Sequence, residues 1–249
     1  MKRFKTLLSV RVVVIVLVIA MSAACSLITK PWIRSATMND VVNIGDSIFA
    51  LSGAEHSYLT SYAGKSFRNY CKSGAYLSGS NILTDQSVIV QYATARSDNS
   101  NIKTILMDGG GNEVLIQANF FDPYNCKKDW WESGLSSSCK SLIDDSYVDA
   151  VSLLNQMGRD GVQNIIYQGY YHVKNGAFAS TSLNPAVDYG NTKLSQAVAN
   201  ATAVSNYRVF VNPVSSITNS DIIIDGVHPT DSGSKKLANL IWPKLQPKL

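Results

Sequence analysis

The stretch VVNIGDSIFA, residues 41–50, decides how the chain is read. A short apolar run, Val41 to Ile44, ends in Gly45-Asp46-Ser47 and leads into a segment with helical character. Runs of this kind suit strands buried on both faces of a parallel sheet. The pattern returns along the chain. Ile102–Met107 (IKTILM) ends in Asp108 and three glycines, Asn164–Tyr167 reads NIIY, and Tyr207–Val211 reads YRVFV. Ser66–Tyr70 (SFRNY) is a weaker fifth candidate.

Amphipathic segments lie between the runs. Tyr147, Val148, Val151, Leu154 and Met157 recur at helical spacing, and Gly158 is the expected C′ residue. Leu194, Val198 and Ala201 mark a second helix. A last one opens near Thr230–Asp231, carries Leu237, Leu240 and Ile241 on one face, and meets Pro243 near its end. Strands alternating with helices predict an α/β fold, a three-layer α/β/α sandwich around a mostly parallel five-stranded sheet. One domain is expected over residues 40–249, after a linker at 25–39, with an irregular insertion at about 116–140.

Composition excludes several classes. The chain has 249 residues, 45% hydrophobic and only 16% charged, which is incompatible with disorder, coiled coil or collagen. Its net charge of +4 comes entirely from Lys2, Arg3, Lys5 and Arg11 in the first 24 residues; the remainder balances 18 basic against 18 acidic side chains. No basic footprint remains for a nucleic acid.

Residues 1–24 read as a secretion signal: a basic start, the apolar run VVVIVLVIAM at 12–21, then Ser22-Ala23-Ala24. Cys25 follows directly, and small-small-Cys resembles the lipobox of bacterial lipoproteins, although Ser22 stands where leucine is usual. Ordinary cleavage after Ala24 is the alternative. Membrane attachment through a lipid on Cys25, or through an uncleaved leader, therefore stays open. Export to the periplasm, the cell envelope or the medium is expected in either case, and it permits disulfides. Cys126 and Cys139 bracket a 12-residue stretch and form the expected staple, leaving Cys71 either free and buried or paired with Cys25. The histidines, His56, His172 and His228, show no metal spacing.

Ligand sites of open α/β sheets lie beyond the carboxyl ends of strands. Three polar motifs occupy such places: Gly45-Asp46-Ser47, Gly110-Gly111-Asn112, and Asp225-Gly226-Val227-His228. Ser47 offers a hydroxyl at a helix start, and an alcohol needs a base before it can attack. Asp225 and His228, three apart, let a carboxylate fix one imidazole nitrogen while the other accepts a proton. Asn112 offers an amide to a developing oxyanion. Each motif alone has an ordinary structural explanation as a helix cap, a turn or a core histidine. His56 and His172 are read in that way, although His172 follows YQGYY at a strand end and is a candidate for lining the cleft. No Gly-Lys-Ser/Thr follows the glycines at 109–111, which rules out a phosphate loop.

In this order the motifs resemble the SGNH, or GDSL, hydrolase family: Gly45-Asp46-Ser47, then Gly74, then Gly110-Gly111-Asn112, then Asp225-Gly226-Val227-His228, from about residue 41 to the end. Gly79 competes with Gly74, and the Asn69-Tyr70 lead-in favours the latter. The familiar Gly-Asp-Ser-Leu is Gly-Asp-Ser-Ile here, and Glu113 replaces an aspartate. The resemblance implies the family's sandwich fold and a carboxylic ester hydrolase that needs neither metal nor cofactor. Ser47 would be the nucleophile, His228 the acid–base and Asp225 its orienting partner. The Ser47 and Gly74 backbone N–H groups and the Asn112 side chain would hold the oxyanion. The absence of Gly-x-Ser-x-Gly argues against the α/β-hydrolase fold. Small-molecule, lipid and acylated-carbohydrate esters are the expected substrates. Phe120, Phe121, Tyr124, Trp130 and Trp131 are placed either to meet substrate or to pack the insertion. An O-acyltransferase using the same serine and a non-catalytic envelope lipoprotein are the alternatives.

Overall fold

The computed structural model describes residues 31–52, 54–128, 134–203 and 207–249, with backbone alone for 51, 52 and 120. The expected leader, Cys25, Trp130 and Trp131 lie outside the described residues. Five strands, β1 (Met38–Ile44), β2 (Phe67–Asn69), β3 (Thr104–Met107), β4 (Asn164–Gln168) and β5 (Tyr207–Val211), form one parallel sheet in the order β2-β1-β3-β4-β5. All five expected strands are present. Seven α-helices occur among the described residues: α1 (Ser47–Ser52), α2 (Ala54–Ala63), α3 (Val88–Asp98), α4 (Asn112–Phe120), α5 (Ser137–Arg159), α6 (Asn184–Asn200) and α7 (Asp231–Leu245).

Alternation along the strands feeds two cores. Val42, Ile44, Ile105, Met107, Ile165 and Tyr167 point to one face and pack against α3, α5 and α6. Val41, Leu106 and Ile166 point to the other, against Leu59 of α2 and Ala238, Ile241 and Leu245 of α7. Successive side chains of a strand face opposite ways, so two buried faces require the continuous apolar runs seen in the sequence. The result is the expected three-layer sandwich. A third apolar cluster, separate from both faces, gathers Ile143, Val173, Leu183, Ala186 and Val227 around Cys126 and Cys139.

Some boundaries differ from expectation. β1 begins at Met38, and within the expected linker Ile33 pairs with Asn69 and Trp32 packs on Tyr70. Within the segment at 116–140, expected to be irregular, α4 reaches Phe120 and α5 starts at Ser137. Gly158 lies inside α5 and is not its C′ residue. A Cβ there would lie 2.7 Å from that of Ala203, so the glycine lets the chain before β5 approach the helix. The last helix matches its reading, with Thr230 as N-cap accepting from Gly233 N–H and Pro243 inside the final turns.

The Cys126–Cys139 disulfide is formed, with Cα atoms 5.0 Å apart, and Cys71 is buried with a free thiol. Replacing both bridging cysteines by serine is expected to lower the unfolding free energy by about 2–4 kcal/mol, because the unfolded chain regains the entropy of the opened loop. Urea unfolding of the double variant against wild type measures this; an unchanged midpoint would show that the closed loop contributes nothing.

Candidate active site

The register Ile44↔Met107 sets the carboxyl ends of β1 and β3 side by side. Beyond those ends the backbone of Gly45 lies against Asp108 so closely that a Cβ would be 1.9 Å from Asp108 Oδ1. Only glycine fits. Asp46 N–H donates to that same oxygen at 2.6 Å. Gln91, on the buried face of α3, accepts from Gly45 N–H at 2.7 Å and donates to its carbonyl at 2.9 Å. The turn before Ser47 is therefore fixed by three elements.

Asp46 caps α1, its Oδ1 accepting from Ile48 N–H at 3.0 Å, and its Oδ2 accepts from Tyr170 Oη at 2.6 Å. Ser47 opens that helix and is buried. Its backbone N–H belongs to the first turn, where the helix supplies no acceptor. Asn112 opens α4, also buried, and its amide donates to the Ala75 carbonyl at 3.0 Å. Its neighbour Glu113 accepts from Leu77 N–H. Two adjacent residues of α4 thus clamp the loop containing Gly74, which turns at φ +75° with Ala75 N–H bonded to the Lys72 carbonyl. Gly79 shares the positive φ, but its neighbourhood is open, whereas Gly74 directly precedes the carbonyl that orients Asn112.

Asp225 and His228 sit on a loop closed by backbone bonds from Ile223 N–H to the His228 carbonyl and from Thr230 N–H to the Asp221 carbonyl. Asp225 Oδ1 accepts from Val227 and His228 N–H, and Oδ2 meets His228 Nδ1 at 2.6 Å. An ionised carboxylate only accepts, so Nδ1 carries the proton and Nε2 is left as an acceptor. Burial pushes the Asp225 carboxyl up, but the hydrogen bond from His228 and the two backbone N–H groups outweigh it and hold the acid below its ordinary range. His228 Nε2 is buried and makes no hydrogen bond, so no hydrogen bond joins it to Ser47. Isolation of a buried ring nitrogen normally costs about 1–3 kcal/mol, which marks it as an acceptor awaiting a donor.

The front and tail of the chain meet here. Ile48 packs with Tyr171, Ile222 and Leu237, and Val227 borders the same cleft as Ser47 and Asn112. The cleft holds about 810 Å³ counted out to its open mouth. His172 is not on its lining; the ring pairs with Asp188 at 2.7 Å at the surface, while Tyr171 and Val173 on either side face the cleft. His56 is buried near Asn43 and edge-on to Phe67. Phe121 is exposed, and Tyr124 packs on the third cluster.

Sequence reasoning passed over Asp46, Asp108, Gln91 and Tyr170. Gln91 had a visible signal: it shares a helical stripe with Val88, Tyr92 and Ala95, and a polar residue on a core-facing stripe needs a buried partner. The acids form a buried group behind Ser47. Burial raises Asp46, against the N–H of Ile48 and the Tyr170 hydroxyl. Burial and the neighbouring Asp46 charge drive Asp108 well above the usual carboxylate range. Burial likewise lifts Glu113 to about 7, opposed by the Leu77 N–H.

The fold is that of the SGNH-type hydrolases. Solved structures that share it include the native aryl esterase of M. smegmatis, at 9% identity and a TM-score of 0.58 over 84% of this chain and 99% of that one. LAE5, an alpha/beta hydrolase enzyme from the metagenome of Lake Arreo, is similar at 13% identity and 0.56, covering 87% and 99%. Axe2, an acetylxylan esterase from Geobacillus stearothermophilus, aligns at 16% identity and 0.51, covering 82% and 93%. No family model and no curated protein sequence matches.

Glu113 gives a pH signature. Its folded value near 7 lies above the unfolded 4.5, so its stabilising contribution is complete below about pH 4.5 and is lost as pH rises to about 7, by about 3 kcal/mol. Glu113→Gln keeps an acceptor for Leu77 and removes the titration. The wild type should therefore lose stability relative to the variant across that window; parallel thermal-unfolding profiles would contradict the shift.

Proposed function

We propose that the protein is an exported serine hydrolase of carboxylic esters. One observation carries the reading: an Asp225–His228 pair, 2.6 Å apart, keeps a buried, unengaged Nε2, and Val227 between the two borders the same cleft as Ser47 and Asn112. A carboxylate that holds Nδ1–H and leaves Nε2 as acceptor is the arrangement needed to take a proton from an alcohol. The aryl esterase and acetylxylan esterase among the structural neighbours support ester chemistry. The leader-like sequence at 1–24 supports export.

In the proposed cycle Ser47 Oγ attacks the ester carbonyl as its proton passes to His228 Nε2. Asp225 keeps the imidazole in the correct tautomer and stabilises the imidazolium. Negative charge on the carbonyl oxygen is met by the Ser47 and Gly74 N–H groups and by the Asn112 amide, whose second hydrogen is held in place by the bond of the first to Ala75. The imidazolium returns its proton to the leaving alcohol. Water, activated by the same nitrogen, then releases the acid and restores the serine. The missing Ser47–His228 hydrogen bond does not oppose this, since such bonds are often long before substrate binds.

Ser47→Ala is expected to reduce turnover of p-nitrophenyl esters by roughly 10³-fold or more, with unchanged circular dichroism. A variant as active as wild type would dismiss the assignment. Asn112→Ala should lower kcat by roughly 10²–10³. Should only KM respond, the amide contacts the ground state and not the transition state.

A further inference from the structure

The cleft beside Ser47 is lined by the residues expected for a hydrocarbon ligand. On α6 and the turn before it, Leu183, Ala186, Gly190 and Leu194 stand three or four apart and so share one face of the helix. Ile143 of α5 and Leu115 of α4 also line it. The small members of the α6 stripe leave the room: a Cβ built at Gly190 meets nothing within 4 Å. From Ala186 to Leu194 the stripe runs about 12 Å along the helix axis.

The polar groups of the lining are already engaged. Tyr170 Oη donates to Asp46, Tyr171 Oη to the Val227 carbonyl at 2.6 Å, and Ser146 Oγ to the Leu142 carbonyl at 3.3 Å. Lys193 Nζ is held by Asp144 at 2.7 Å and lies over the Tyr189 ring. Few partners remain for sugar hydroxyls once water is expelled, because apart from the remaining N–H donors of Lys193 these polar side chains are already bonded. Among the described lining residues, Ser47 and Asn112 offer the polar contacts that reaction chemistry would use.

We propose that this cleft is an acyl-chain pocket, making the preferred substrates esters of medium-length fatty acids and not acetyl esters. The inference rests on the esterase reading above and adds the acyl specificity. The chain is assigned to the acyl side because Asn112 and Gly111, on the oxyanion side, border the cleft, whereas His228, which must protonate the departing alcohol, does not.

The test uses p-nitrophenyl acetate, butyrate and octanoate, with octyl acetate as the reversed control. Wild type should favour octanoate over acetate by at least tenfold in kcat/KM and gain no comparable advantage from octyl acetate. Gly190→Leu, which fills the stripe, should lower the octanoate-to-acetate ratio at least tenfold. Preference for acetate, preference for octyl acetate, or an unaltered ratio in the variant would each overturn the proposal. Calorimetry of octanoate binding to Ser47→Ala, with and without Gly190→Leu, separates the two readings. If no ester is turned over, yet octanoate binds and the leucine abolishes binding, the pocket stands and the esterase reading falls. Absence of octanoate binding to Ser47→Ala removes the pocket.

Discussion

A 2.6 Å hydrogen bond from Asp46 N–H to Asp108 Oδ1 ties the turn after β1 to the turn after β3, and the placement of Ser47 follows from it. The bond exists because the two strands pair in parallel with Ile44 opposite Met107, and because Gly45 lacks the Cβ that would occupy the same space. Parallel pairing is itself enforced by two apolar faces, each covered by helices. The chain of cause thus runs from alternating buried side chains, through register, to one backbone contact, and ends at the orientation of a hydroxyl.

The second half of the site obeys a different logic. Asp225 and His228 stand on no strand or helix, and their loop is held by its own backbone bonds and by the segment after β4, with Phe178 N–H donating to the Asp225 carbonyl and Lys174 N–H to that of Gly226. Asp225 gathers two N–H groups and an imidazole, so its geometry is over-determined although it lies in a loop. Such dense local bonding offsets the entropy that a loop would otherwise retain.

Much of this was legible in the residues. The strands declared themselves because burial on two faces demands uninterrupted apolar runs, and Asp-x-x-His declared itself because three residues bring a carboxylate onto Nδ1. The first part of α5 was hidden, since Ile143 is the one strongly apolar residue among its inward positions, and Cys139, Ser146 and Ala150 beside it leave little periodicity to detect. The Asp46–Asp108 contact could not be read at all, because it depends on register between segments 62 residues apart. Tyr170 was masked by His172, two positions on: a titratable ring attracted the functional reading, while the phenol did the structural work.

The cleft wall draws on the disulfide-centred cluster, whereas the serine rests on the sheet. Architecture of this kind partitions evolvability. Helix-face substitutions along the wall can reshape the cleft while the β1–β3 scaffold that positions Ser47 stays intact.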